Sequence, residues 1–107
     1  MTVTQLIEKL DLEVLNLSEG EREITGGYVG DLLSWVMGKA ESGDMWVTIM
    51  TNVNVVAVAS LVDVACVVIA DKAEIAADVI EKARAQGINL LRSSKSAYQL
   101  CNEQILL

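Results

Sequence analysis

The sequence contains no proline, no histidine and no phenylalanine, and aromatic residues make up only 4% of it. Without histidine the chain lacks the commonest general base and the commonest metal ligand. Without proline or a low-complexity stretch it offers no rigid linker and no obvious domain boundary. Cysteine is equally sparse. Cys66 and Cys101 are the two present, without CxxC spacing. They read as reduced, buried thiols of a cytoplasmic protein rather than as a disulfide or a metal pair. Positive charge is also scarce, with 8 Lys and Arg against 15 Asp and Glu and a net charge of −7. The cations form no stripe, so nucleic acid and anionic membranes, which would need a local basic patch against that field, are disfavoured as partners.

What is abundant is hydrophobic residue, at 52% of a 107-residue chain. That length and composition support one domain, residues 1–107, with a substantial core. The longest uncharged run, Met45 to Val62, is interrupted by Thr48, Thr51, Asn52, Asn54 and Ser60 and has no basic anchors, so it is not read as a membrane span. The N-terminal "MTVTQLIEKLDLE" carries acids early and has no basic region, unlike a secretory signal.

Periodicity organises the rest. Thr2 and Gln5 have capping-box spacing ahead of a short helix through Leu10, and residues 12–17 alternate as a strand. Residues 18–21 read as a turn, and a short extended piece near Glu23–Ile24 leads into three glycines. From Asp31 to Ala40 the residues Leu32, Leu33, Val36, Met37 and Ala40 form one helical face, with Asp31 placed as N-cap. Strands are predicted at 45–50, 65–70 and 88–91. Helices are predicted at 53–61 after a Thr51-Asn52 cap, from an Asp71/Glu74 start to Gly87, and from the serines 93–96 to the end, with Ala97, Cys101 and Ile105 inward. Strand and helix alternate with short connections. The expectation is a small three-layer α/β/α sandwich with a mainly parallel sheet.

The segments "EITGGYVGDLLSWVM", "TNVNVVAVASL" and "INLLRSSKSAYQL" together resemble the DRTGG domain in its stand-alone form. That module is similar to the N-terminal domain of HPr kinase/phosphorylase and also occurs beside CBS domains and phosphotransacetylases. Thr25-Gly26-Gly27 and Gly30-Asp31-Leu32-Leu33 carry the resemblance most specifically, whereas Glu23-Ile24 stand where the family name reads Asp-Arg. The resemblance implies a regulatory or assembly module with no assigned ligand. It does not imply a kinase, because the chain has no G-x-x-x-x-G-K-[ST].

Two sets of residues are candidates for binding. At Thr25, Gly26 and Gly27 the free amides suit an anion, but glycine there also suits a tight corner whose helix is capped by Asp31. The corner reading is favoured, since Asp31 would occupy an anion's place and no lysine follows. The second set comes from loops expected at the carboxyl ends of the strands: Thr51, Asn52, Arg92, Ser93, Ser94 and Lys95, with Asp71 and Lys72 beside them. Two cations beside serine hydroxyls suit a nucleotide-like anion, and ordinary capping is the competing reading. No catalytic constellation, metal site or cofactor is expected, and the chain is read as no enzyme.

The function expected is a non-catalytic regulatory or ligand-sensing module that takes a nucleotide-like small molecule. The alternative is a dimeric structural or protein-docking module with no such ligand. A homodimer is expected on separate grounds. The 53–61 helix is apolar around nearly its whole circumference, so Val55, Val58 and Ala59 are assigned to a two-fold interface. Trp35 points away from its own helix's apolar stripe and is assigned there too.

Overall fold

The computed structural model describes residues 1–103. Helix α1 (Val3–Leu10) is followed by β1 (Glu13–Asn16), β2 (Gly26–Val29), α2 (Leu33–Lys39), β3 (Asp44–Thr48) and α3 (Val53–Val62). Then come β4 (Cys66–Ile69), α4 (Ala77–Gln86), β5 (Leu90–Arg92) and α5 (Ala97–Cys101). The five strands form one sheet in the order β1-β5-β4-β3-β2. Four run parallel, and β1 alone is antiparallel, against β5. The result is the expected three-layer α/β/α sandwich.

The period-2 rule sorts the strand residues between two cores. Met45, Val47, Cys66, Val68 and Leu91 face a core closed by Val3, Leu6 and Leu10 of α1 and Leu100 of α5. Trp46, Val67, Ile69 and Leu90 face the other, closed by Val36 of α2, Val55, Val56, Val58 and Ala59 of α3, and Val79 and Ala83 of α4. Every residue of β3 and β4 is buried, as expected for central parallel strands covered on both faces.

The local signals hold at several ends. Thr2 and Gln5 form the capping box of α1, Asn52 accepts from the Asn54 amide at the start of α3, and Gly87 ends α4 with φ 70°. Other expectations fail for identifiable reasons. Residues 26–29 are a strand and not a loop, because the extended piece continues through the glycines in register with Asp44–Val47. Asp31 does not cap α2, whose N-cap is Leu32 without a side-chain bond. Its carboxylate instead accepts from Thr48 Oγ1 at 2.8 Å and the Ile49 amide at 2.9 Å, closing the end of β3. Helix α4 starts at Ala77, later than predicted, because Asp71 and Lys72 take left-handed backbone conformations (φ 57° and 48°). Cys101 is exposed, with Leu100 taking the inward position, and Ile105 lies outside the described residues.

The interface assignment on α3 also changes. Val55, Val58 and Ala59 are buried within the subunit, because α2 and α4 flank α3 on the same face of the sheet. The polar outer face that the helix lacks in sequence is thereby reduced to a narrow strip ending in Leu61, 76% exposed. Trp35 is exposed as expected, with Lys39 Nζ 4.8 Å from its ring centroid.

Between β1 and β2 the chain crosses from one edge of the sheet to the other, beneath the amino ends of the strands. Asn89 holds this crossing. Its Oδ1 accepts from the Ser18 and Glu19 amides at 2.9 and 2.8 Å, and its Nδ2 donates to the carbonyls of Glu19 and Ala65 at 2.9 and 3.0 Å. The side chain is buried and all four bonds would be lost together on truncation. Asn89→Ala should therefore destabilise the domain by about 3 kcal/mol, read as a lower midpoint in urea unfolding.

Candidate functional site

The two sets of candidate residues lie at opposite ends of the sheet. Thr25, Gly26 and Gly27 sit at the amino end, where Gly26 is in register with Asp44 and the Thr25 amide donates to the Gly43 carbonyl at 3.0 Å. Thr51, Asn52 and the 92–95 segment follow the carboxyl ends of β3 and β5. They do not form one site.

At the amino end the glycines have a packing role. Neither Gly26 nor Gly27 has positive φ, so the turn rationale for them does not apply. A Cβ at Gly26 would lie 2.7 Å from Asp44 Oδ1, so glycine leaves room for this buried carboxylate. Asp44 Oδ2 accepts from the Glu41 amide at 2.8 Å. The positive φ is at Gly43 (88°), against which the Thr25 side chain packs. Arg22, just upstream, makes a paired contact to both carboxylate oxygens of Asp63 at 3.1 Å and reaches the Asp63 carbonyl at 3.0 Å. Ser42 Oγ donates to Asp63 Oδ2 at 2.6 Å. The Arg22 guanidinium and then the Ser42 hydroxyl hold the Asp63 carboxyl below its ordinary range. Sequence reading gave Arg22, Ser42 and Asp63 no role, since their partners are far apart in the chain.

At the carboxyl end, a cavity of about 520 Å³ opens between the starts of α3 and α4. Thr51, Asn52 and Val53 form one wall, and Glu74, Ile75, Ala76, Asp78 and Val79 the other. The start of α4 carries no side-chain cap. Beside it, the loops after β4 and β5 are zipped together: the Asp71 amide donates to the Lys95 carbonyl at 2.9 Å and the Lys72 amide to the Ser93 carbonyl at 2.8 Å. Both cations of the 92–95 segment are engaged. Arg92 forms a two-point pair with Glu13 at 2.9 and 3.0 Å and donates to the Ala73 carbonyl at 3.3 Å. Lys95 Nζ donates to Glu103 at 2.8 Å. These partners lower the pKa of Glu13 and of Glu103. Ser93 is buried and its Oγ accepts from the Lys95 amide at 3.0 Å, whereas Ser94 is exposed. Ser96 caps α5.

Cys66 is buried in the core, and burial pushes its thiol up to about 12, which leaves it protonated and unreactive at neutral pH. Among the described residues no cluster of three metal-ligating side chains occurs, and no helix is long and apolar enough to cross a membrane.

No protein-family model matches the chain, and no curated protein matches its sequence. Among solved structures, the chain is similar to the CBS and DRTGG domains of the regulatory region of Clostridium perfringens pyrophosphatase, complexed with the activator diadenosine tetraphosphate. The TM-score is 0.75 at 13% sequence identity, with 95% of this chain and 45% of that chain covered. This chain therefore spans less than half the length of that one. The likeness is one of fold, and it supports the DRTGG-like architecture that the quoted segments resemble.

The Arg22–Asp63 pair gives the amino end an acid-sensitive element. A carboxyl whose folded pKa is depressed contributes stability above its unfolded pKa and loses it as pH falls through the folded value. Asp63 is largely exposed, so the contribution is small. Asp63→Asn should lower the melting temperature slightly at pH 7, and the difference from the unmodified protein should begin to shrink below about pH 4 and be lost only as pH falls through the depressed folded value.

Proposed function

We propose that this chain is a non-catalytic regulatory module that senses a nucleotide-like small molecule at the carboxyl ends of β3, β4 and β5. The observation that carries the reading is the cavity between the starts of α3 and α4, at the carboxyl ends of the strands. Open α/β sheets bind ligands at this end. Glu74 and Asp78 on the cavity wall suit ribose hydroxyls or an exocyclic amine, which donate hydrogen bonds, and not phosphates. The phosphates belong instead on Ser94 and Lys95. There they would compete with Glu103 for Lys95, so binding would release a contact that ties α5 to the loop. A regulatory region of similar fold, complexed with a dinucleoside polyphosphate activator, adds support.

Adenine nucleotides at low salt should raise the melting temperature through linkage. Lys95→Ala should reduce the shift without altering the melting of the unliganded protein by more than about 2 °C. No shift with any nucleotide of a panel that includes diadenosine tetraphosphate would overturn the reading.

A second reading, a dimeric docking module, is favoured by the outer side of α2 and α3. Leu32 and Trp35 at the start of α2, and Leu61 of α3, are each more than half exposed. Such a set of large apolar side chains on a small domain is characteristic of a contact surface. A homodimer across this side should show twice the chain mass by light scattering at tens of micromolar, with Trp35→Glu giving the monomer; a monomeric unmodified chain would exclude it.

A further inference from the structure

The cavity between the starts of α3 and α4 has walls of opposite hydrogen-bonding character. On the α3 wall, Asn52 spends its Oδ1 on the Asn54 amide at 2.9 Å. A backbone amide can only donate, so the group this side chain has left is the Nδ2 donor, which bonds none of the described residues. On the α4 wall stand Glu74 and Asp78, whose carboxylates can only accept. Neither makes an ion pair among the described residues. The rest of the lining includes Val53, Ile75 and Val79, the last buried and the other two half-buried. An apolar bed between a donor and two acceptors suits a flat heteroaromatic ring with an acceptor on one side and a donor on the other.

We infer that this cavity is a base subsite selective for adenine, an inference that rests on the nucleotide-sensing reading above. In adenine the exocyclic amine and the ring nitrogen N3 lie on opposite sides of the six-membered ring. The amine donates to a carboxylate of the α4 wall, and N3 accepts from Asn52 Nδ2. Hypoxanthine and guanine carry a carbonyl oxygen where adenine has its amine, and that oxygen would meet a carboxylate, acceptor against acceptor. Cytosine keeps the amine, but its glycosidic nitrogen stands opposite and accepts nothing. Asn52 is thus both the cap of α3 and the residue that, with the two carboxylates, determines specificity.

The test uses the full chain and uncharged nucleosides, so that base recognition is read apart from any phosphate contact. In an NMR titration, adenosine should shift the Asn52 side-chain amide and the Val53 and Val79 backbone amides. It should bind at least about tenfold more tightly than inosine or cytidine. Asn52→Asp keeps the capping oxygen and replaces the donor with an acceptor. It should weaken adenosine binding at least about tenfold while moving the melting temperature by no more than about 2 °C. Glu74→Gln combined with Asp78→Asn should cut the preference for adenosine over inosine at least about fivefold, whereas Glu8→Gln on α1 should leave it unchanged. Inosine binding as tightly as adenosine would overturn the inference and leave the sensing reading standing. So would nucleotides that raise the melting temperature while adenosine moves none of these resonances. No response to nucleosides or to nucleotides would overturn both.

Discussion

The structure depends on getting one stretch of chain across the amino ends of the sheet. Strand β1 lies at one edge and β2 at the other, so residues 17–25 must pass beneath β5, β4 and β3. A crossing of this kind exposes backbone donors and acceptors to a partly buried setting, where each needs a partner. Asn89 supplies the first anchor, bonding Ser18 and Glu19 while its amide also grips Ala65 before β4. Helix α1 supplies the next: its Val3 and Thr4 amides, free of intrahelical partners, donate to the carbonyls of Arg22 and Gly20 at 3.0 Å. Arg22 then locks onto Asp63 at the end of α3. One crossing thus ties together α1, β5, β4 and α3 before β2 is laid down.

Seen this way, Thr25-Gly26-Gly27 is the end of the crossing rather than the start of a ligand loop. The chain must turn from the floor of the domain into an edge strand beside a buried carboxylate. Gly26 leaves space for Asp44, and Thr25 packs on the left-handed Gly43. The motif is explained by close approach between backbone and side chains, without invoking a phosphate. At the other end of β2, the carbonyl of Gly30 accepts from Trp46 Nε1 at 2.9 Å, and Asp31 closes over the end of β3. Both ends of the edge strand are therefore fixed to β3.

Much of the fold was legible because its signals are local. Alternating strands and helices, the Thr2–Gln5 capping box, the Asn52 cap and the Gly87 stop are all written within a few residues. The failures share a cause, which is that the deciding partner lies far away in sequence. Asp31 looked like a cap because Thr48 could not be placed beside it, and Gly26 looked like a turn residue because Asp44 could not. Helix α3 was read correctly as a helix and wrongly as half-uncovered. Its composition reports burial, but only the sheet order reveals that α2 and α4 provide it. The carboxyl-end residues were placed together by the general rule for parallel sheets, yet nothing local showed that Glu13 and Glu103 already occupy the cations.

That occupancy shapes how the carboxyl end can respond. Arg92 is only 17% exposed and held at three acceptor atoms across β1 and the α4 entry, so losing Glu13 would loosen an edge strand. Lys95 is 42% exposed and, among the described residues, held by a single side-chain contact, to Glu103. An ion pair so exposed contributes little stability, so an anion with two or more acceptor oxygens can displace its carboxylate at small cost. The two cations thus differ: Arg92 keeps the sheet edge in place, while Lys95 makes a more exposed pair with Glu103. The backbone carbonyl of Lys95 receives the Asp71 amide, at the left-handed Asp71–Lys72 turn that leads toward α4. The same helix forms one wall of the cavity between the starts of α3 and α4.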